Sequence, residues 1–170
     1  GADGNCATEV TKITWVNIIP TGLPDQGTLY MDDFGRYYSN DFMASQKEIT
    51  DETKVLYDFN NESLSGWSVK NVGTGVGSVM AADTTKGYGK SGASLLWSYD
   101  KADSEHPALY HDEAFMFDQT GLIFWADSSQ GGTLRIDATG WDGSAWTPIY
   151  ADVELVGGEN IVKIPWKNFK

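Results

Sequence analysis

The chain has 170 residues, of which 21% are charged, and a formal net charge of -12. That length suits one domain with a sizeable core, and the acidity argues against nucleic acid and anionic membrane surfaces, which need clustered Lys and Arg. Cys6 is the single cysteine, which excludes a disulfide framework, and no apolar run is long enough to span a bilayer. A start at Gly1 with no signal peptide is what a processed or excised fragment would show.

In chain order, "TKITWVNI" (11–18) is β-branched and aromatic and predicts a strand. "PTGLPDQG" (20–27) predicts a loop. "GTLYMDDFGRYY" (27–38) alternates as a strand and carries two adjacent carboxylates. "SNDFMASQKEITDET" (39–53) is polar and without period, and predicts a linker. "KVLYDF" (54–59) resumes the strands, and "GWSVKNVGTGVGSVMAAD" (66–83) holds two short ones around glycine turns. After a loop at 84–92, "ASLLWSYD" (93–100) is a strand, and "HPALYHDEAF" (106–115) reads as a strand or an irregular edge. "GLIFWAD" (121–127), "GTLRIDATG" (132–140), "AWTPIYADVEL" (145–155) and "NIVKIPW" (160–166) complete the series. About ten short strands at this spacing, with no convincing helix, predict an all-β fold, a two-sheet antiparallel sandwich or a barrel.

Aromatics make up 13% of the chain, with 7 Trp and 8 Tyr. So many in an acidic, strand-like chain predicts that some face solvent on a binding surface. Alternation says which ones. A strand sends successive side chains to opposite faces. In 145–155 the odd positions through Leu155 form the core face, so Trp146, Tyr150, Asp152 and Glu154 face out. In 132–140, Leu134, Ile136 and Ala138 face in, and Arg135, Asp137 and Thr139 face out. In "LIFWAD" both faces are apolar, and Phe124 and Trp125 point opposite ways. If these strands are neighbours, one outer face carries Trp125, Arg135, Asp137, Trp146, Tyr150 and Asp152. Flat rings beside carboxylates and a guanidinium suit sugars, whose C–H patches stack on aromatics and whose hydroxyls take paired polar partners.

Several segments carry a family likeness. "LYDFNNESLSGW", "SLLWSYD", "GLIFWADSSQGGTLRI", "NIVKIPWKNF" and "VTKITWVNI…GTLYMDDF" together resemble the β-jelly-roll carbohydrate-binding modules. The likeness is to family 11, with families 30 and 44 and the galactose-binding-like sandwiches nearby. It covers most of the chain except about 39–53. The order differs: the family's closing strand, of the "GTLYMDDF" type, stands here at the front. Joining Lys170 to Gly1 reads as uninterrupted family sequence. The chain therefore resembles a circularly permuted module, in which 1–38 supply the closing strands, 39–53 bridge the old termini and 54–170 supply the rest, all one domain. The alternative is a tandem array cut out of phase, with strands exchanged between chains. A monomer fits the first and an obligate dimer the second.

The resemblance implies a glucan-binding cleft on the concave sheet. Trp67 stands where the family has an early cleft aromatic; Tyr99, His106 and Tyr110 fall in the region of a second; Asn17 stands where the family has a tyrosine. It also implies structural calcium, held by oxygen ligands. Asp32, Asp33, Asp58, Asn60 and Glu62 are the candidates, with Asp33, Asp58 and Asn60 the core set, and Leu29–Phe34 is expected beside Val55–Phe59. No nucleophile elbow, phosphate loop or zinc signature is present. The expectation is a non-catalytic module that binds β-linked polysaccharide (cellulose, mixed-linkage glucan or xyloglucan) and targets an attached catalytic or scaffold module. Its setting would be secreted, on a bacterial cell surface or cellulosome-associated. The alternatives are a small polysaccharide hydrolase or lyase, using Asp137 and Asp152, and a structural or protein-binding module.

Overall fold

The computed structural model describes residues 12–37, 53–70, 78–90, 92–101, 107–112, 115–116, 121–141 and 143–170. These form twelve strands: β1 (Lys12–Gly22), β2 (Gln26–Tyr37), β3 (Thr53–Tyr57), β4 (Trp67–Lys70), β5 (Ser78–Asp83), β6 (Ser94–Asp100), β7 (Ala108–His111), β8 (Phe115–Met116), β9 (Gly121–Ser128), β10 (Gly132–Trp141), β11 (Trp146–Leu155) and β12 (Gly158–Pro165). Two short 3₁₀ turns, Tyr88–Lys90 and Trp166–Asn168, are the only helical segments among the described residues. None is long and apolar enough to cross a membrane.

The strands form two antiparallel sheets. The front sheet runs β11-β10-β1-β7-β4, with β8 beside β1. The back sheet runs β12-β9-β2-β6-β5, with β3 beside β2. The fold is the expected all-β two-sheet sandwich.

Alternation explains the core. Leu134, Ile136 and Ala138 of β10 and Ile149, Ala151 and Leu155 of β11 are buried. Across from them lie Leu29 and Met31 of β2, Leu95 and Trp97 of β6, and Leu122, Phe124 and Ala126 of β9. Each large apolar side chain so enclosed contributes about 1.5–3 kcal/mol. Phe34 packs edge-on to Trp67, with centroids 5.0 Å apart, and stacks on Phe124 at 5.6 Å. In β9 every residue from Gly121 to Ala126 is buried, so its two apolar faces mark a strand covered on both sides.

One boundary differs from the sequence reading. The expected loop at 20–27 shrinks to three residues, because β1 continues through Pro20 to Gly22. The ladder to β10 accommodates the proline at a register shift between Ile19 and Gly22, as proline in a sheet requires. Of the two readings of the segment around Tyr110, strand or irregular edge, the strand is the one present: it is β7, an inner strand between β1 and β4. The expected adjacency of the "DDF" and "DF" segments is present: Phe34 pairs with Tyr57 across β2 and β3. The linker expected at 39–53 falls outside the described residues but for Thr53, which opens β3.

Candidate functional site

The outward side of the front sheet gathers the polar and aromatic residues. Val16 and Ile18 turn inward, so Trp15, Asn17 and Ile19 turn outward. Leu109 and His111 turn inward, so Tyr110 turns outward. The register then aligns a row across five strands. Tyr150 pairs with Asp137, Asp137 with Asn17, Asn17 with Tyr110 and Tyr110 with Ser68. At strand spacing this row is about 19 Å long. A parallel row pairs Asp152 with Arg135 and Arg135 with Ile19. At one end of the face Trp141 pairs with Trp146, their rings 5.2 Å apart and tilted by 54°. Trp146 is 46% exposed, the one aromatic among the exposed large apolar side chains of the described residues.

Charges hold the face in shape. Arg135 forks onto Asp152, Nε donating to Oδ1 at 2.8 Å and Nη2 to Oδ2 at 2.9 Å. Its guanidinium lies 4.3 Å from the centroid of the Tyr150 ring. These hydrogen bonds hold Asp152 below the usual carboxylate value. Burial raises Asp137, against the pull of Arg135. Lys70 Nζ sits 3.5 Å over the ring of Tyr110, which in turn lies 6.2 Å from Trp15. Asn17 Oδ1, in the middle of the row, is buried and accepts no hydrogen bond. The face thus offers a fixed carboxylate–guanidinium pair and several rings around the central Asn17.

Of the residues expected on one face, Arg135, Asp137, Trp146, Tyr150, Asp152 and Asn17 are brought together. Trp125 is not among them, because β9 belongs to the back sheet. There it is 3% exposed, and its indole Nε1 donates to Glu159 Oε1 at 3.2 Å. Trp67 is no cleft aromatic either: alternation on β4 turns it inward, among Phe34, Tyr57, Phe59 and His111. Tyr99 belongs to the back sheet and is 4% exposed. His106 lies outside the described residues. Trp15 and Trp141 were missed. Trp141 was within reach, since the alternation of β10 runs two residues beyond Thr139.

The carboxylates expected to hold calcium cluster where β2 is interrupted. The ladder to β9 shifts register between Asp32 and Gly35, and Asp33 takes the left-handed φ of 47°. Asp32 accepts the backbone N–H of Asp33 and that of Tyr88, both at 2.8 Å. Burial pushes Asp32 up to about 7, against the pull of the Tyr88 N–H, and Asp33 and Asp58 add to the rise. Burial and Asp58 also raise Asp33. Oxygen donors that repel one another fit a hard divalent cation. The fit is partial: among the described residues no three acidic, His or Cys side chains converge as a metal cage. Asn60 is engaged elsewhere, its Oδ1 accepting the Ala93 N–H at 3.2 Å.

Comparison with known proteins returns no matching family model, no matching curated protein and no matching solved structure.

Proposed function

We propose that this domain is a non-catalytic carbohydrate-binding module whose front sheet holds a β-linked glucan. The observation that carries this is the Tyr150–Asp137–Asn17–Tyr110 row, flanked by the Arg135–Asp152 fork and the Trp141–Trp146 pair. Rings stack on the C–H faces of sugars, and amide, carboxylate and guanidinium groups take their hydroxyls. A row of about 19 Å suits an extended oligosaccharide better than a single ring. The jelly-roll likeness of the sequence points the same way, and the β2–β3 pairing is compatible with its permuted order. In this reading the module tethers an attached enzyme or scaffold to polysaccharide outside the cell. Calcium enters through Asp32, Asp33 and Asp58, whose mutual repulsion a divalent cation would relieve. The test is a glycan screen with cellulose, mixed-linkage glucan, xyloglucan, xylan and mannan side by side. Retention on at least one β-glucan is expected, and a blank screen defeats the reading.

One observation favours a hydrolase instead. Asp137 is raised and Asp152 lowered, the divergence an acid and its partner carboxylate need. Against it, both Asp152 oxygens are taken by Arg135. Release of reducing ends from the bound glucan would decide for hydrolysis.

A further inference from the structure

A concavity lies at the end of the sandwich remote from the tryptophan pair. The start of β2 pairs there with the end of β6: Gln26 with Asp100, Gly27 with Tyr99. The turn after β9 closes it, Ser129 N–H donating to the Thr28 carbonyl at 2.9 Å. The resulting pocket has a volume of about 460 Å³ and is lined by Gln26, Gly27, Thr28, Tyr99, Asp100, Ser129 and Gln130. β10 has Gly132 at this end and Trp141 at the other, roughly 30 Å away at the rise of a strand.

The polar groups of this pocket are mostly positioned by one another. Gln26 Nε2 donates to Asp100 Oδ2 at 2.7 Å, and Gln130 Nε2 to the Gln26 carbonyl at 3.3 Å. Ser129 Oγ accepts the Thr28 N–H at 3.0 Å. Tyr99 is the exception. It is 4% exposed, and its hydroxyl makes no hydrogen bond to the described residues. That hydroxyl rests against Gly27, where any Cβ would collide with it. The hydroxyl itself is not fully enclosed: it opens onto the pocket, where a ligand hydroxyl can take the place of water. Glycine at position 27 leaves the hydroxyl room at the pocket floor.

The lining also selects the partner. Among the described residues it holds no Lys or Arg, which disfavours anions, and a single carboxylate already engaged by an amide, which disfavours a divalent cation. Amides, hydroxyls and a phenol both donate and accept, as the hydroxyls of a neutral sugar do. We propose that this pocket is a second saccharide site, taking the end of a neutral sugar chain edge-on through Tyr99, Gln26, Asp100 and Gln130. The site goes beyond the stacking face and does not depend on it.

The experiment is an NMR titration of the full chain with cellobiose and, separately, with lactose. The side-chain amide signals of Gln26 and Gln130 and the backbone signals of Gly27 and Ser129 should shift to saturation with at least one sugar. Tyr99→Phe, which keeps the ring, should weaken that response roughly five-fold or more, and the exposed Gln130→Ala should weaken it independently. The Trp146 indole signal should respond equally in the parent and in both variants. No shift at the pocket with either sugar at tens of millimolar, or a shift that both variants leave unchanged, overturns the second site. A silent Trp146 beside a responsive pocket would instead count against the stacking face alone.

Discussion

The two outward faces of the sandwich carry similar side chains in different settings. On the front sheet Trp146 is exposed, and Trp15, Tyr110, Trp141 and Tyr150 are half-buried. On the back sheet the outward Trp125 is buried beside Asp32, its cross-strand partner, and the 3₁₀ turn is tethered to that aspartate through the Tyr88 N–H. The charges differ in the same way. Arg135 neutralises Asp152 on the front, whereas burial raises Asp32 and Asp33 on the back and each is driven further up by a neighbouring aspartate. An aromatic serves recognition where its face stays accessible, and serves stability where a loop seals it.

The sharpest way to break this contrast is to truncate one tryptophan from each face. Trp125→Ala should cost about 3–5 kcal/mol of stability by leaving a cavity, read as a fall in Tm. Trp146→Ala should leave Tm nearly unchanged and weaken retardation by soluble β-glucan on the order of ten-fold. A stable Trp125→Ala variant that fails to bind would invert the assignment.

Titration separates the faces next. Asp32 has a folded value of about 7, above its ordinary 3.8. Its stabilising contribution is therefore complete below pH 3.8 and lost as pH rises to about 7. His111, inside the front sheet, is lowered by burial from 6.5 to about 4. Its contribution is present above pH 6.5 and lost as pH falls towards 4. The Tm difference between Asp32→Asn and the parent should therefore become more favourable to the variant from pH 4 to 7 in chelator. Calcium should flatten that slope if the cluster binds it. For His111→Gln the slope has the opposite sign.

Smaller effects sharpen the front face itself. Arg135→Ala frees Asp152 and uncovers Tyr150, and should weaken glucan binding several-fold while costing under about 1 kcal/mol of stability, because the pair is surface-exposed. Lys70→Ala uncovers Tyr110, and should change glucan affinity by about two-fold, the scale of an exposed cation–π contact. Both are read by isothermal titration against one oligosaccharide.

Much of the front face was legible in the sequence because β10 and β11 form a hairpin. Alternation in each strand sorts its side chains, and a short turn forces the two strands to pair, so Arg135, Asp137, Tyr150 and Asp152 follow from local pattern. Trp125 was misplaced by the same logic. The connection from β9 to β10 is also short, Ser129–Gly131, yet it crosses between sheets instead of closing a hairpin. Nothing in a three-residue turn distinguishes those outcomes. Trp15 joins the face only through the pairing of β1 with β7 and β10, both far along the chain. Trp67 was misread because a buried and an exposed tryptophan look alike until the strands on either side are known. The register shift between Asp32 and Gly35 is a property of three paired strands, not of "DDF".

The most direct test follows the indole N–H signals of the 7 tryptophans during titration with a soluble β-glucan oligosaccharide. The account predicts saturable shifts at Trp15, Trp141 and Trp146, with Trp67, Trp97, Trp125 and Trp166 still. Shifts confined to Trp125 and its neighbours, or absent at all three front-face indoles while the glucan is retained, would contradict it.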